Sequence, residues 1–396
     1  MKLFGYGDRH IHWLCLGSAL LLLSCGEAPK PAPKPQAEKP PPDRQLESVP
    51  RDRYADDVAR FLAGMPGRDG SPFTQFQDEP AWVKHRQEFD RSWNRLEVEP
   101  LPAIRAFQSS ELGNRPADAP VFYPFSGPDS LMITAFFPGT PLYILVGLEP
   151  AGTLPNVKQI GRKNLTQYLE VTRSTVASEL GRSFFITRQM DRQFRGQVTD
   201  GLCLPIMELL VRSGHTILGF RYVRLDEGGR IVERASDYHT TGRIGNKGLE
   251  IEFLTDSDQS VHKMFYYSVN LSDTRLKENP QFLTFLSRMQ GASTFLKATS
   301  YMVHKPEFSI IREQMLARSA AVLQDDSGIP YRLFTPPDWR VQLYGEYVRP
   351  YGSFRYQEQA DLRNAYQTPG PKPLAFRIGY GYGKVPSNLQ FASRVM

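Results

Sequence analysis

Apolar residues at Val58, Phe61, Leu62 and Met65 recur three or four positions apart. That spacing predicts a helix entered at Asp56 and Asp57. Pro80 opens a second helix, with Trp82, Phe89, Trp93 and Leu96 near one face. Pro100 and Pro102 break that run, and a short helix with Ile104 and Phe107 follows. From Val121 to Pro150 the pattern changes. Val121 to Tyr123 reads as a short strand, Phe125 to Asp129 as a loop, and Leu131 to Phe137 as a short helix. Leu142 to Leu148 is a continuous apolar run, the mark of a strand covered on both faces in a parallel sheet. The loop at the carboxyl end of the first strand is where α/β folds bind ligands.

The pattern continues with helices at Asn164 to Gly181 and Pro205 to Ser213, the latter stopped by Gly214. His215 to Leu225 and Arg230 to Arg234 form a hairpin about Asp226-Glu227-Gly228-Gly229. Leu249 to Thr255 and Lys263 to Leu271 are strands, the second with the alternation of a half-exposed antiparallel position. Asn279 to Met289 is a helix. Ser293 to Val303, Pro306 to Ser319 and Ala320 to Gln324 make a second strand–helix–strand unit, which runs into Asp325-Asp326-Ser327-Gly328. A strand at Val341 to Val348, a helix at Gln357 to Tyr366 and a Gly/Tyr-rich ending close the chain. The expected class is α/β: a mixed, largely parallel sheet flanked by helices, with antiparallel hairpins. Residues 51–396 are expected to form one large domain, with a helical lead-in at 51–115.

The first fifty residues follow another logic. Lys2 and Arg9 precede an apolar segment from Trp13 to Leu23, too short to span a bilayer. Leu22-Leu23-Ser24-Cys25 follows. This resembles the lipobox of bacterial lipoprotein precursors. The resemblance implies cleavage after Ser24, within a signal peptide at 1–24, and lipidation of the Cys25 thiol. Gly26 after the cysteine, by resemblance to proteobacterial lipoproteins, implies the outer membrane. Gly26 to Pro50 holds eight prolines in twenty-five residues. Proline lacks an N–H and holds the backbone extended, so this stretch reads as a tether with a reach on the order of 75 Å.

Composition narrows the rest. Of 396 residues, 40% are hydrophobic and 23% charged, which suits a large core. A net charge of +6 with scattered Lys and Arg gives no basic stripe, so nucleic acid is not an expected partner; the expected partner is the membrane, through the lipid. Outside Cys15 and Cys25 only Cys203 remains. It sits among apolar neighbours and reads as a buried, inert thiol, and no disulfide can form within 51–396.

No HExxH, CxxC pair, P-loop or G-x-S-x-G elbow is present. Pro124-Phe125-Ser126-Gly127, with Glu149 ending the next strand, resembles the first motif of S-adenosylmethionine methyltransferases of the DNA-modifying kind. The resemblance implies a cofactor loop at Gly127 and a ribose-binding acid at Glu149. Tyr123 stands where that family has an acid, and Pro128 where it has small residues. An envelope address also leaves no supply of that cofactor, so none is expected, and the resemblance supports the fold alone. YPFSGPD and QDDSGIPYR together resemble an uncharacterised family of bacterial proteins, a likeness that implies no activity. Candidate chemistry rests on Ser126, Asp129, Lys297, Asp325 and Asp326. Asp325 and Asp326 at a strand end can serve as acid and base or ligate a hard cation; the competing reading is an Asx turn. Lys297 within an apolar strand needs a carboxylate partner, with Asp325, Asp326 and Glu149 as candidates. His215, His239, His262 and His304 are candidate bases, and Tyr380 and Tyr382 candidate stacking residues. Two functions follow. One is an envelope binding or scaffold domain; the other is an envelope hydrolase, or a degenerate methyltransferase-like fold, with its site at loops 125–129 and 325–328.

Overall fold

A computed structural model describes residues 44–45, 49–113, 118–155, 165–167, 169–170, 172–173, 201–234, 246–255, 260–380 and 387–395. All belong to the unit Pro42–Met396. The lead-in is helical as its periodicity dictates: α1 (Arg53–Leu62), α2 (Pro80–Val98) and α3 (Leu101–Glu111). Asp52 caps α1 by accepting from the Tyr54 N–H, and Pro80 occupies the first turn of α2, where a missing N–H costs nothing.

The strands are β1 (Arg44–Gln45), β2 (Val121–Tyr123), β3 (Leu142–Gly147), β4 (His215–Leu225), β5 (Ile231–Glu233), β6 (Lys247–Thr255), β7 (Val261–Ser268), β8 (Ala292–Leu296), β9 (Ser319–Gln324), β10 (Trp339–Gly345) and β11 (Asn388–Arg394). Among the described residues they form one eleven-stranded sheet in the order β1-β5-β4-β6-β7-β3-β2-β8-β9-β11-β10. The fold is α/β with a mixed sheet. The parallel ladders lie in the middle, joining β7, β3, β2, β8 and β9. Antiparallel ladders build both flanks, where the hairpin of β4 and β5 lies.

Alternation along the central strands splits the core in two. Val121, Tyr123, Tyr143, Leu145, Met264 and Tyr266 face one cluster. That cluster also holds α1 to α3, α4 (Ser130–Phe136) and α5 (Cys203–Arg212). Phe122, Ile144, Val146, Phe265 and Tyr267 face the other, with α6 (Asp273–Glu278), α7 (Gln281–Leu286) and α8 (Ser309–Arg318). Successive side chains of a strand point to opposite faces, so a strand covered on both sides must be apolar throughout.

Four expectations change. The sheet is mixed but not largely parallel: among the described residues four ladders are parallel and six antiparallel, because β5 pairs directly with β4 and β7 with β6 and the tail adds β11 antiparallel to both its neighbours. β7 is interior, not half-exposed: Met264 to Ser268 are all buried, because β6 and β3 pair on its two edges and helices cover both faces. The strand expected at Ser293 to Val303 stops at Leu296, where Ala298, Ser300 and Tyr301 take left-handed backbone angles. The tail contributes β11, inserted between β9 and β10. A helix, α9 (Ala360–Gln367), lies near the expected position. Residues 165–167, 169–170 and 172–173 are helical; the rest of the segment expected at Asn164 to Gly181 lies outside the described residues. No described helix is long and apolar enough to cross a membrane.

Candidate functional site

The chain leaves β2 toward β3 on one side and leaves β8 toward β9 on the other. The gap between β2 and β8 is therefore a topological switch point, and the loops at their carboxyl ends diverge there. Left-handed, non-glycine residues mark it on both sides: Phe125 (φ 62°) after β2, and Ala298, Ser300 and Tyr301 (φ 51°, 55° and 53°) after β8. Each such residue costs about 1–3 kcal/mol, and strain of this kind concentrates at ligand sites.

Between the loops lies a buried ion pair. Lys297, the first residue past β8, places Nζ 2.5 Å from Asp129 Oδ2, with the side chains 3% and 2% exposed. The Tyr123 hydroxyl donates to the same oxygen at 2.8 Å. Asp129 Oδ1 caps α4 by accepting from the Met132 N–H at 3.2 Å. The partner differs from the three carboxylates expected for Lys297. The reason is sheet order: β2 borders β8, and Glu149 follows β3, one strand further away. Asp325, on the other neighbour β9, already accepts from Ala298 N–H at 2.8 Å and from the Ser327 hydroxyl and N–H at 2.5 and 3.0 Å.

That last geometry is an Asx turn. Asp326 beside it accepts from the Tyr301 hydroxyl at 2.5 Å and from Asn388 Nδ2 at 3.2 Å. Burial pushes both aspartic acids above the usual carboxylate range, and the charge of Asp325 lifts Asp326 further; bonds from Ser327 and Ala298, then the nearby Lys297 charge, pull Asp325 back in part. Gly379 passes so close that a Cβ there would sit 1.8 Å from Asp325 Oδ2. Tyr380 stacks on Tyr301, packs at a tilt against Phe354 and donates to the Ala298 carbonyl at 3.0 Å, so its ring is part of the packing. Tyr382 and His239 lie outside the described residues, as does Cys25.

Ser126 is also taken up locally. Its buried hydroxyl contacts the Gly127 and Val146 carbonyls at 3.0 and 3.3 Å and accepts from the Val146 N–H at 3.1 Å, tying the loop to β3. A serine–histidine pair lies elsewhere: His262 bonds Ser260 at 2.6 Å and the Thr140 carbonyl at 2.7 Å. His304, whose pKa is pushed down to about 4 by burial, packs edge-on against Tyr301. Among the described residues no group of three or more His, Cys, Asp or Glu is arranged to hold a metal ion. The structure thus brings Asp129, Lys297, Asp325 and Asp326 to one edge of the sheet, each engaged in structural bonds.

Beside this cluster, at the same carboxyl edge, is a partly open cavity of about 240 Å³. Gly127 and Glu149 both line it. Its walls are otherwise mainly apolar: Phe125 from the loop after β2, Val146 and Leu148 from the end of β3, Leu271 after β7, and Phe308 after β8. Phe125 and Phe308 meet edge-on with ring centres 5.9 Å apart. Leu271 and Phe308 carry no local signal in the sequence; only strand order assembles them with Phe125. No family model, curated protein or solved structure matches the chain.

Proposed function

We propose that this chain is a cell-envelope lipoprotein, tethered through Cys25 and the proline-rich stretch, whose α/β domain binds a small, largely apolar molecule without transforming it. The cavity of about 240 Å³ at the switch point carries the binding reading. Such a position, an apolar lining and a few polar groups are the usual make-up of ligand sites. The catalytic alternative has less support. Ser126, Asp129, Lys297, Asp325 and Asp326 are all at most 4% exposed and committed to partners within the fold. The tether and the outer-membrane address rest on the lipobox and on Gly26.

The binding test uses fluorobenzene, whose fluorine resonance broadens on binding. Broadening by the wild-type chain and its loss in Met302→Trp, which fills the cavity from a half-buried wall position, supports the reading. Absence of broadening in the wild type, or equal broadening in a folded variant, refutes it. Labelling of Ser126 by a fluorophosphonate, abolished in Ser126→Ala, would return the site to catalysis. For the anchor, Cys25→Ser is expected to lose incorporation of labelled palmitate; retained incorporation contradicts lipidation.

A further inference from the structure

The lining of the cavity is asymmetric in charge. Glu149 contributes a carboxylate, while among the described residues no Lys, Arg or His lines the cavity, although the whole chain carries a net +6. Glu149 is 8% exposed and lies at the end of β3. Among the described residues its carboxylate has one hydrogen bond, long for a charged group: Oε2 accepts from the Leu148 N–H at 3.2 Å. Among the described residues no lysine or arginine pairs with it, whereas the still more buried Asp129 and Glu250 each have a cation at 2.5 and 2.7 Å. A nearly buried carboxylate facing apolar walls is costly without a cationic or donor partner.

The walls supply the complement. Phe125 and Phe308 present aromatic surface, whose negative faces attract a cation within about 6 Å. Asn270 and Ser272 give the lining further polar atoms, though Asn270 Oδ1 already accepts from the Ser272 N–H at 3.0 Å. Size bounds the guest. A cavity of ~150 Å³ holds benzene, so one of about 240 Å³ takes a ring with a short side chain.

Resting on the binding function proposed above, we infer that the ligand is a small organic cation: an aromatic or aliphatic body seated on Phe125 and Phe308, with an ammonium group paired to Glu149. The charge selects among guests of equal size, and the apolar walls supply affinity common to all of them. An anionic guest of the same shape meets the Glu149 carboxylate and is excluded.

The experiment compares three probes of one shape: 2-phenylethylammonium, 2-phenylethanol and 3-phenylpropionate, by ligand-observed NMR on the full chain. The ammonium is expected to bind about tenfold more tightly than the alcohol, the scale of one charge-assisted bond at a partly open site, and the carboxylate more weakly than both. Glu149→Gln keeps an acceptor for Leu148 and is expected to bring the ammonium and the alcohol within about twofold, leaving the alcohol unchanged. Leu148→Lys, at a lining position 42% exposed, adds a positive charge without touching Glu149. It removes one apolar wall side chain, which weakens all three guests alike, and is expected to weaken the ammonium further, so that the preference for the ammonium over the alcohol falls; a preference left unchanged counts against the assignment, and the comparison keeps the test valid if the first variant does not fold. Equal binding of ammonium and alcohol by the wild type, or a preference that survives Glu149→Gln, overturns the cation assignment while leaving the cavity as a ligand site. Failure of all three probes, together with fluorobenzene, removes the binding function itself.

Discussion

Lys297 and Asp129 offer the sharpest check on how the switch point is held together. Their charged atoms are 2.5 Å apart with both side chains almost fully buried. At an effective dielectric of about 20 the gross attraction is about 7 kcal/mol. Removing two charges from water costs several kcal/mol per ion, so the pair is close to neutral in net stability. Breaking it is a different matter. Among the described residues, Lys297→Met leaves the Asp129 carboxylate with only the Tyr123 hydroxyl and the Met132 N–H; the expected cost is about 3–5 kcal/mol. Asp129→Asn keeps the helix cap and an acceptor for Tyr123 but strands the ammonium, at a similar cost. The double variant leaves no buried charge at the pair and is expected to cost well under the sum, about 1–3 kcal/mol. Equilibrium urea unfolding, followed by tryptophan fluorescence and far-UV circular dichroism together, measures all four states; coincident transitions secure the free energies. Single variants costing less than about 1 kcal/mol, or losses that add within about 0.5 kcal/mol, would refute the argument that the pair is buried and coupled.

Other consequences follow from groups away from the pair. Glu208 on α5 is buried, neither carboxyl oxygen has a hydrogen-bond partner among the described residues, and burial pushes its pKa from the usual 4.5 to about 8. The folded state therefore keeps a proton that the unfolded chain releases, so this group's contribution to stability falls as pH rises from about 4.5 to about 8. Glu208→Met is expected to flatten that slope and to be the more stable protein at pH ~9, by a few kcal/mol in urea unfolding; an unchanged slope would count against it. The raised Asp325 and Asp326 act in the same sense. Burial pushes the Cys203 thiol up to about 12, so the folded chain should resist a disulfide-exchange reagent and react once unfolded in urea; prompt reaction in the native state would contradict the burial. Gly379→Ala places a Cβ against Asp325 at a φ of 61° and is expected to destabilise by at least about 1–2 kcal/mol; a neutral result in the same unfolding assay would contradict the close approach.

The legible parts of the fold share one property: they are local. The β2–α4–β3 unit could be read because its apolar runs and Pro124 lie within thirty residues of one another. The Asx turn at Asp325 is equally local, since Ser327 is two residues away. Lys297 stood out because an ammonium in an apolar run needs a partner, yet its partner was missed. That choice depends on which strands border β8, and strand order is not written in any window of the chain. β11 was missed for a related reason. Asn388 and Gln390 are buried polar residues that break the apolar pattern, and their places are justified only by Asp326 and Gln324 across neighbouring segments. The exposure of β7 was misjudged because alternation in a strand reports side-chain character, and the cover on its second face comes from distant helices.

By itself, then, the sequence determined the α/β class, the helical lead-in, most element positions, and Lys297 as a buried charge that had to be neutralised. Those follow from periodicity, capping and desolvation, which act over a few residues. The tertiary structure decided that β2 and β8 are neighbours, that Asp129 rather than Glu149 neutralises Lys297, and that Phe125, Leu271 and Phe308 enclose one cavity with Glu149 in its wall. The physical reason is that hydrogen-bonded strand pairing joins segments more than a hundred residues apart, and a site at a switch point exists only once that order is set.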